Sequence, residues 1–170
     1  REVWAAKAGR AGADAVIIDL EDSVPEAEKA AARRLAAQTI DSIGEAYPAM
    51  TILVRPNALD TDHFGKDLAA VVRPGLEGLL LPMIYTAREV LDFAALLDHF
   101  EIEAGLARGT VEFIPTLETA QSLVNCESIA AAHPRVASLM AAAARDADVS
   151  REVGFEWTPE GLETLHYRSK

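Results

Sequence analysis

Short apolar runs rich in Val, Ile and Leu alternate along this chain with long, alanine-rich amphipathic stretches. That alternation is the signature of a parallel sheet covered by helices. The runs Ala15 to Leu20, Thr51 to Arg55, Gly78 to Pro82, Val111 to Pro115 and Val136 to Met140 read as strands, each followed by a turn and a helical pattern. They are apolar throughout rather than alternating, as expected when helices cover one face and a barrel interior or a second helix layer covers the other. Helix starts are legible as well. Ser23 before Pro25 and Glu26 predicts a capping box, Thr86 with Glu89 predicts a second, and Thr158 before Pro159 and Glu160 marks a third start. No linker or repeat divides the chain, so residues 1–170 read as one α/β domain.

Composition narrows the function classes. The 27 acids against 16 Lys plus Arg leave a formal net charge of -11, which gives a phosphate backbone no general attraction to this surface. Nucleic acid is therefore excluded as a partner. No apolar run reaches membrane-spanning length, and the single cysteine, Cys126, rules out an internal disulfide, so a cytoplasmic protein is expected. His63, His99, His133 and His166 share no metal-ligand spacing and read as structural, as does Cys126 within an apolar helical pattern. The run Leu139 to Arg145 reads as helix or tight packing.

Chemistry concentrates at the carboxyl ends of the predicted strands, where parallel α/β folds build their sites. The first strand runs into Asp19, Glu21 and Asp22, the second into Arg55 and Asn57, and the fourth into Thr116 and Glu118, while Asp146 and Asp148 follow the fifth. Each has a plain structural reading: Asp19 capping a turn, Asp22 and Glu118 favouring a helix N-terminus, Arg55 in a surface ion pair. Convergence on one rim favours a site. An arginine at a strand end, followed by Pro56 and Asn57, is well placed to meet an anion.

The segments "GADAVIIDLEDSVPEAEKAAAR", "ILVRPN", "GLEGLLLP", "LETAQSLVNCESIAAAHPRV" and "DVSREVG" occur in an order and spacing that resembles the HpcH/HpaI aldolase and citrate lyase family, with its citrate lyase beta chain, malyl-CoA lyase and citramalyl-CoA lyase members. The resemblance implies a TIM (β/α)8 barrel, here an incomplete piece with about five of its eight parallel strands. The family's first strand would precede Arg1 and its last strands would follow Lys170. Two exposed sheet edges and an uncovered interior would then make the isolated piece associate.

The resemblance also implies one divalent metal, usually Mg²⁺, held by Glu118 and Asp148, with Asp146 as the alternative to the second. Glu21 and Asp22 would line the metal through water, and Arg55, with Asn57, would contact substrate. The implied reaction cleaves a 3-hydroxyacyl thioester, of the malyl, citramalyl or citryl type, to a 2-oxo acid and an acyl thioester such as acetyl-CoA or its acyl-carrier equivalent. The acid/base aspartate of the CoA-dependent members would lie in a C-terminal segment, and a homotrimer or hexamer is implied. Two positions depart from the family pattern: Met83 stands where lysine is frequent, and Ala141 to Ala144 stand where glycine is expected near the metal aspartate. Two alternatives remain open, a metal-dependent aldolase of free 2-oxo-hydroxy acids and a non-catalytic relative.

Overall fold

The computed structural model describes residues 2–141 and 148–154. The predicted start at Thr158, the alternative ligand Asp146, residues 142–144 of the alanine run and His166 lie outside the described residues. Helix α1 (Glu2–Arg10) leads into strand β1 (Ala15–Asp19), and a single 3₁₀ turn over Glu26–Glu28 opens helix α2 (Lys29–Ala46). Strand β2 (Thr51–Arg55), helix α3 (Phe64–Val71), strand β3 (Gly78–Leu81), helix α4 (Ala87–Glu103) and strand β4 (Glu112–Leu117) continue the alternation. Short helices α5 (Ala120–Val124) and α6 (Cys126–Ala130), strand β5 (Met140–Ala141) and helix α7 (Asp148–Val153) follow.

The five strands lie in the order β1-β2-β3-β4-β5, and every pairing is parallel. Neighbours in space are neighbours in sequence, with a helical crossover between them, which is the arrangement of a TIM barrel's consecutive βα units. The described residues thus form a curled half-barrel of five parallel strands, as expected of the sequence, with β1 and β5 at its borders.

The two faces of the sheet differ. Ile52, Val54, Leu79, Leu81 and Phe113 pack into one apolar core with Ile40 of α2, Leu68 of α3 and Phe93 of α4. Phe93 makes edge-on ring contacts with Phe64 at 4.7 Å and with Phe113 at 6.4 Å, joining two helices to the sheet. Residues of the other parity, Ile17, Leu53, Gly78, Leu80 and Ile114, form the face turned away from that core. On that face Leu80 is buried but Ile17, on the border strand, is 49% exposed. Gly78 keeps the face close-packed: a Cβ there would stand 2.8 Å from Leu53 Cδ2 and 3.3 Å from the Glu112 carbonyl oxygen.

Three local expectations are corrected. Ser23 does not cap α2; its backbone N–H and hydroxyl donate to Asp19 Oδ2, so the stronger acceptor at the strand end takes the serine. The helix is entered through the 3₁₀ turn, and no side chain caps it. The fifth strand is two residues long rather than Val136 to Met140. Val136 makes an isolated parallel bridge to Phe113, and pairing resumes only at Met140 opposite Thr116. Three steps along β4 are thus matched by four along its partner, and the extra residue breaks the ladder. The predicted end of the fourth strand at Pro115 is also passed: the Thr116 hydroxyl donates to the Leu81 carbonyl at 2.8 Å, and the strand continues to Leu117. The capping box at Thr86 and Glu89 is present as expected. No helix among the described residues is long and apolar enough to cross a membrane.

Candidate active site

Strand parity decides which polar groups meet. Asp19 and Arg55 are Cα partners at the ends of β1 and β2, both on the face turned away from the helices. Glu118, two residues beyond Thr116, continues the same parity from β4. The Arg55 guanidinium is held edge-on by Asp19, with Nε donating to Oδ1 at 2.8 Å and Nη2 donating to Oδ2 at 2.6 Å. Such a two-pronged pair fixes the guanidinium plane as well as its position. Its remaining nitrogen, Nη1, lies 3.0 Å from Glu21 Oε2 and 3.5 Å from Asp22 Oδ2.

The acids of this rim therefore have separate duties. Asp19 is the turn acceptor as well as the arginine's partner: it takes the N–H groups of Glu21 at 2.9 Å and Ser23 at 3.2 Å. Burial pushes its carboxyl up, but the bonds from Arg55, Ser23 and the Glu21 N–H outweigh burial and hold it well below the usual carboxylate range. Glu21 goes the other way. Burial raises it, Arg55 opposes, and the nearby charges of Asp22, Glu118 and Asp19 raise it further, so that it is pushed up to about 7.

These opposite displacements have opposite consequences for stability. Asp19 binds its proton less tightly folded than unfolded, so its contribution is present above its unfolded value of 3.8 and is lost as pH falls below it. Glu21 binds its proton more tightly when folded, so its contribution declines as pH rises from 4.5 through about 7. Urea midpoints of metal-free protein measured across pH are expected to show both slopes. Asp19→Asn should flatten the acid limb, and Glu21→Gln the limb near neutrality.

Glu118 reaches back to the loop after β3, where its Oε2 accepts the Met83 N–H at 3.0 Å. Met83 holds a φ of 51°, a left-handed backbone that an unbranched side chain adopts only when its surroundings impose it. Asp148 opens α7, is exposed, and lies 3.4 Å from Arg151 of its own helix. Further along the same helix, Glu152 accepts the Ala120 N–H at 2.7 Å, which ties α7 to the junction of β4 and α5 that carries Glu118. Asp22 is largely exposed at the lip. Asn57, by contrast, is buried below the rim: its Nδ2 donates to the Leu20 carbonyl and to Asp67 Oδ2, and its Oδ1 accepts from Lys29.

Among the described residues no group of three or more His, Cys, Asp or Glu is arranged to hold a metal ion. The donor chemistry nevertheless fits a hard, hydrated cation that takes one or two carboxylates and keeps several waters. Three carboxylates, of Asp19, Glu21 and Asp22, surround one guanidinium, with the charge of Glu118 also acting on Glu21; burial first, and then the repulsion among these acids, suppresses the ionisation of Glu21. A divalent cation is the charge that would relieve that repulsion.

Three participants were not singled out by sequence reasoning. Lys29 and Asp67 are buried charged residues beneath the rim. Both were visible as breaks in an apolar stripe, Lys29 seven residues before Ala36 and fourteen before Ile43, Asp67 between Phe64 and Val71. Tyr85, in the loop after β3, has its hydroxyl pushed up by burial and by the charges of Asp60, Glu152, Glu89 and Glu118. Of the histidines, His63 lies 2.9 Å from Glu26 and 3.4 Å from Arg33, whereas His99 faces Glu103 on the surface. His133 accepts the Arg135 N–H at 3.2 Å, and Cys126 begins α6 half-buried.

The profile of the HpcH/HpaI aldolase/citrate lyase family matches residues 1–170. The chain belongs to this family. Among its relatives, the citrate lyase subunit beta of Leuconostoc mesenteroides subsp. cremoris is 32% identical over 162 residues, covering 95% of this chain and 52% of the relative. A (3S)-malyl-CoA thioesterase of Cereibacter sphaeroides is 32% identical over 156 residues, covering 92% and 49%. The crystal structure of CitE from Mycobacterium tuberculosis in complex with magnesium, acetoacetate and coenzyme A superposes with a TM-score of 0.69 at 30% identity, over 99% of this chain and 55% of that one. The chain thus spans about half the length of the HpcH/HpaI relatives it matches.

Proposed function

We propose that the protein is a Mg²⁺-dependent carbon-carbon lyase that cleaves a 3-hydroxyacyl thioester, of the malyl, citramalyl or citryl type, into a 2-oxo acid and an acyl thioester. The observation that carries this reading is Arg55, pinned in plane by Asp19 at the carboxyl end of two parallel strands and surrounded there by oxygen donors. Family membership and the magnesium, acetoacetate and coenzyme A bound by the CitE neighbour support it.

Glu118 and Asp148 would hold the cation, with Asp146 as the alternative, and Glu21 and Asp22 would reach it through water. Bound there, Mg²⁺ supplies Lewis-acid polarisation of the 2-oxo acid's oxygens. Arg55 does the rest of the charge handling. With Nε and Nη2 committed to Asp19, its Nη1 edge is the part free to exchange Glu21 and Asp22 for an anionic group of the substrate. Cleavage drives negative charge onto the thioester oxygen, and a pre-oriented guanidinium stabilises that charge without reorganising at the moment of reaction. Asn57, whose amide is fully engaged, acts by holding the loop rather than by touching substrate.

The test is an assay of the full-length protein on malyl-, citramalyl- and citryl-CoA and on free 2-oxo-hydroxy acids, with separate detection of 2-oxo acid, acyl-CoA and free CoA. A 2-oxo acid and an acyl-CoA in equal amounts, lost with EDTA, restored by Mg²⁺ and abolished by Glu118→Gln, are the expected result. Free CoA without a 2-oxo acid would mean thioester hydrolysis, as the name of the malyl-CoA thioesterase relative describes for that protein. Cleavage confined to free 2-oxo-hydroxy acids would place the protein with the CoA-independent aldolases instead.

A further inference from the structure

We infer that Lys29 is a positioning residue, a buried ammonium that clamps the loop after β1 so that Glu21 and Arg55 meet in the geometry described above. The inference rests on the lyase reading for its kinetic readout but not for its structural one. Lys29 is the first residue of α2 and is 9% exposed. Its Nζ donates to the Leu20 carbonyl at 2.8 Å, to the Glu21 carbonyl at 2.7 Å and to Asn57 Oδ1 at 2.6 Å. An ammonium has three N–H donors, and all three are used.

Each of the three acceptors is neutral. The balancing charge is one step removed: Asp67, fully buried on α3, accepts the Asn57 N–H at 2.9 Å and its Nδ2 at 2.6 Å, and accepts Arg33 Nη1 at 3.0 Å. Burying a charge on neutral acceptors is costly, and an apolar residue on the stripe of Ala36 and Ile43 would serve the helix at least as well. The ammonium is therefore better explained by what it grips. Two of its bonds go to consecutive carbonyls, which is possible only when the peptide between them is turned so that both oxygens face one point. That peptide links Leu20 to Glu21, whose carboxylate meets Arg55 Nη1 at 3.0 Å. Asn57 completes the clamp, since its Nδ2 donates to the same Leu20 carbonyl at 3.0 Å and so ties the loop after β2 to the loop after β1. The polar rim is thus held from below by Lys29 and Asn57 and from above by the Asp19–Arg55 pair.

The experiment is Lys29→Met in the full chain, which keeps the stem and removes the charge, with Lys29→Gln, able to retain one bond, used in its place if the first does not fold. Three readouts are taken: thermal unfolding, hydrogen exchange of the Leu20, Glu21 and Ser23 amides, and steady-state kinetics at saturating Mg²⁺. The folded variant is expected to exchange these amides faster and to lose kcat by about tenfold or more with KM within about threefold, the mark of lost orientation rather than lost binding. In an Arg55→Ala background the same substitution should cost little further, because the group it orients is gone. A lowered melting temperature with unchanged kcat, or costs that simply add in the double variant, would reduce Lys29 to a structural residue and overturn the inference. If the wild-type chain shows no lyase activity, the lyase reading fails alone; unchanged exchange at residues 20–23 would then be what overturns the role of Lys29.

Discussion

Arg55→Ala is expected to lower kcat by about 10²- to 10³-fold with a much smaller change in KM, the cost typical of removing one pre-oriented donor from a developing oxyanion. The pre-orientation is the reason for expecting an effect on kcat. A guanidinium already locked to Asp19 through Nε and Nη2 offers one fixed edge, and an interaction realised mainly as charge develops appears in kcat rather than in KM. Arg55→Lys should recover little, because an ammonium cannot make the two-pronged bond that sets the plane. Kinetics of the full chain at saturating Mg²⁺ decide it. An effect confined to KM would mean that Arg55 binds substrate and transition state alike.

Glu101→Ala should destabilise the folded protein by about 3 to 5 kcal/mol, the cost of stripping one partner from a buried ion pair. Glu101 is fully buried on α4, where both its oxygens accept from Arg135, Oε1 from Nη1 at 2.8 Å and Oε2 from Nη2 at 2.6 Å. Its carboxylate also accepts the N–H groups of Gly109 at 2.9 Å and Val111 at 2.8 Å. Burial alone would raise the carboxyl, yet the guanidinium and the two N–H groups hold it below the usual range. The arginine in turn donates to the Val111 carbonyl and to Asp98, and stacks over Phe113 at 5.8 Å. Removing Glu101 leaves a buried guanidinium short of charge and two N–H groups without an acceptor. A fall in the urea midpoint at constant slope would report it. Because Glu101 lies near the end of α4, bonded to the residue just before β4 and away from the rim, kcat of the folded fraction should be unchanged.

The strands and helices were legible because their signals are local. Period and composition identify a buried parallel strand such as Thr51–Arg55 within a single run, and the Thr86 and Glu89 cap is complete within four residues. Expectations slipped where a neighbour in space competed for the same group. Ser23 had the spacing of a cap, but Asp19 offered its hydroxyl and N–H a carboxylate across the turn. Val136 to Met140 had the composition of a strand, but an extra residue relative to β4 broke the pairing.

What this sequence determined by itself is the parallel α/β order, the family, and the collection of Asp19, Glu21, Arg55 and Glu118 at strand ends, since strand order and parity follow from the chain's own periodicity. Only the tertiary structure decided what each of those groups does. Four acids of similar sequence context became a guanidinium clamp at Asp19, a proton-retaining carboxyl at Glu21, an exposed lip at Asp22 and an acceptor for a strained backbone at Glu118. Asn57 turned inward, and the buried charges of Lys29, Asp67, Glu101 and Arg135 found partners 28 to 34 residues away in the chain. The physical reason is that ionisation and hydrogen bonding depend on burial and on distances of about 3 Å between segments remote in sequence, and those exist only once the helices have closed over the sheet.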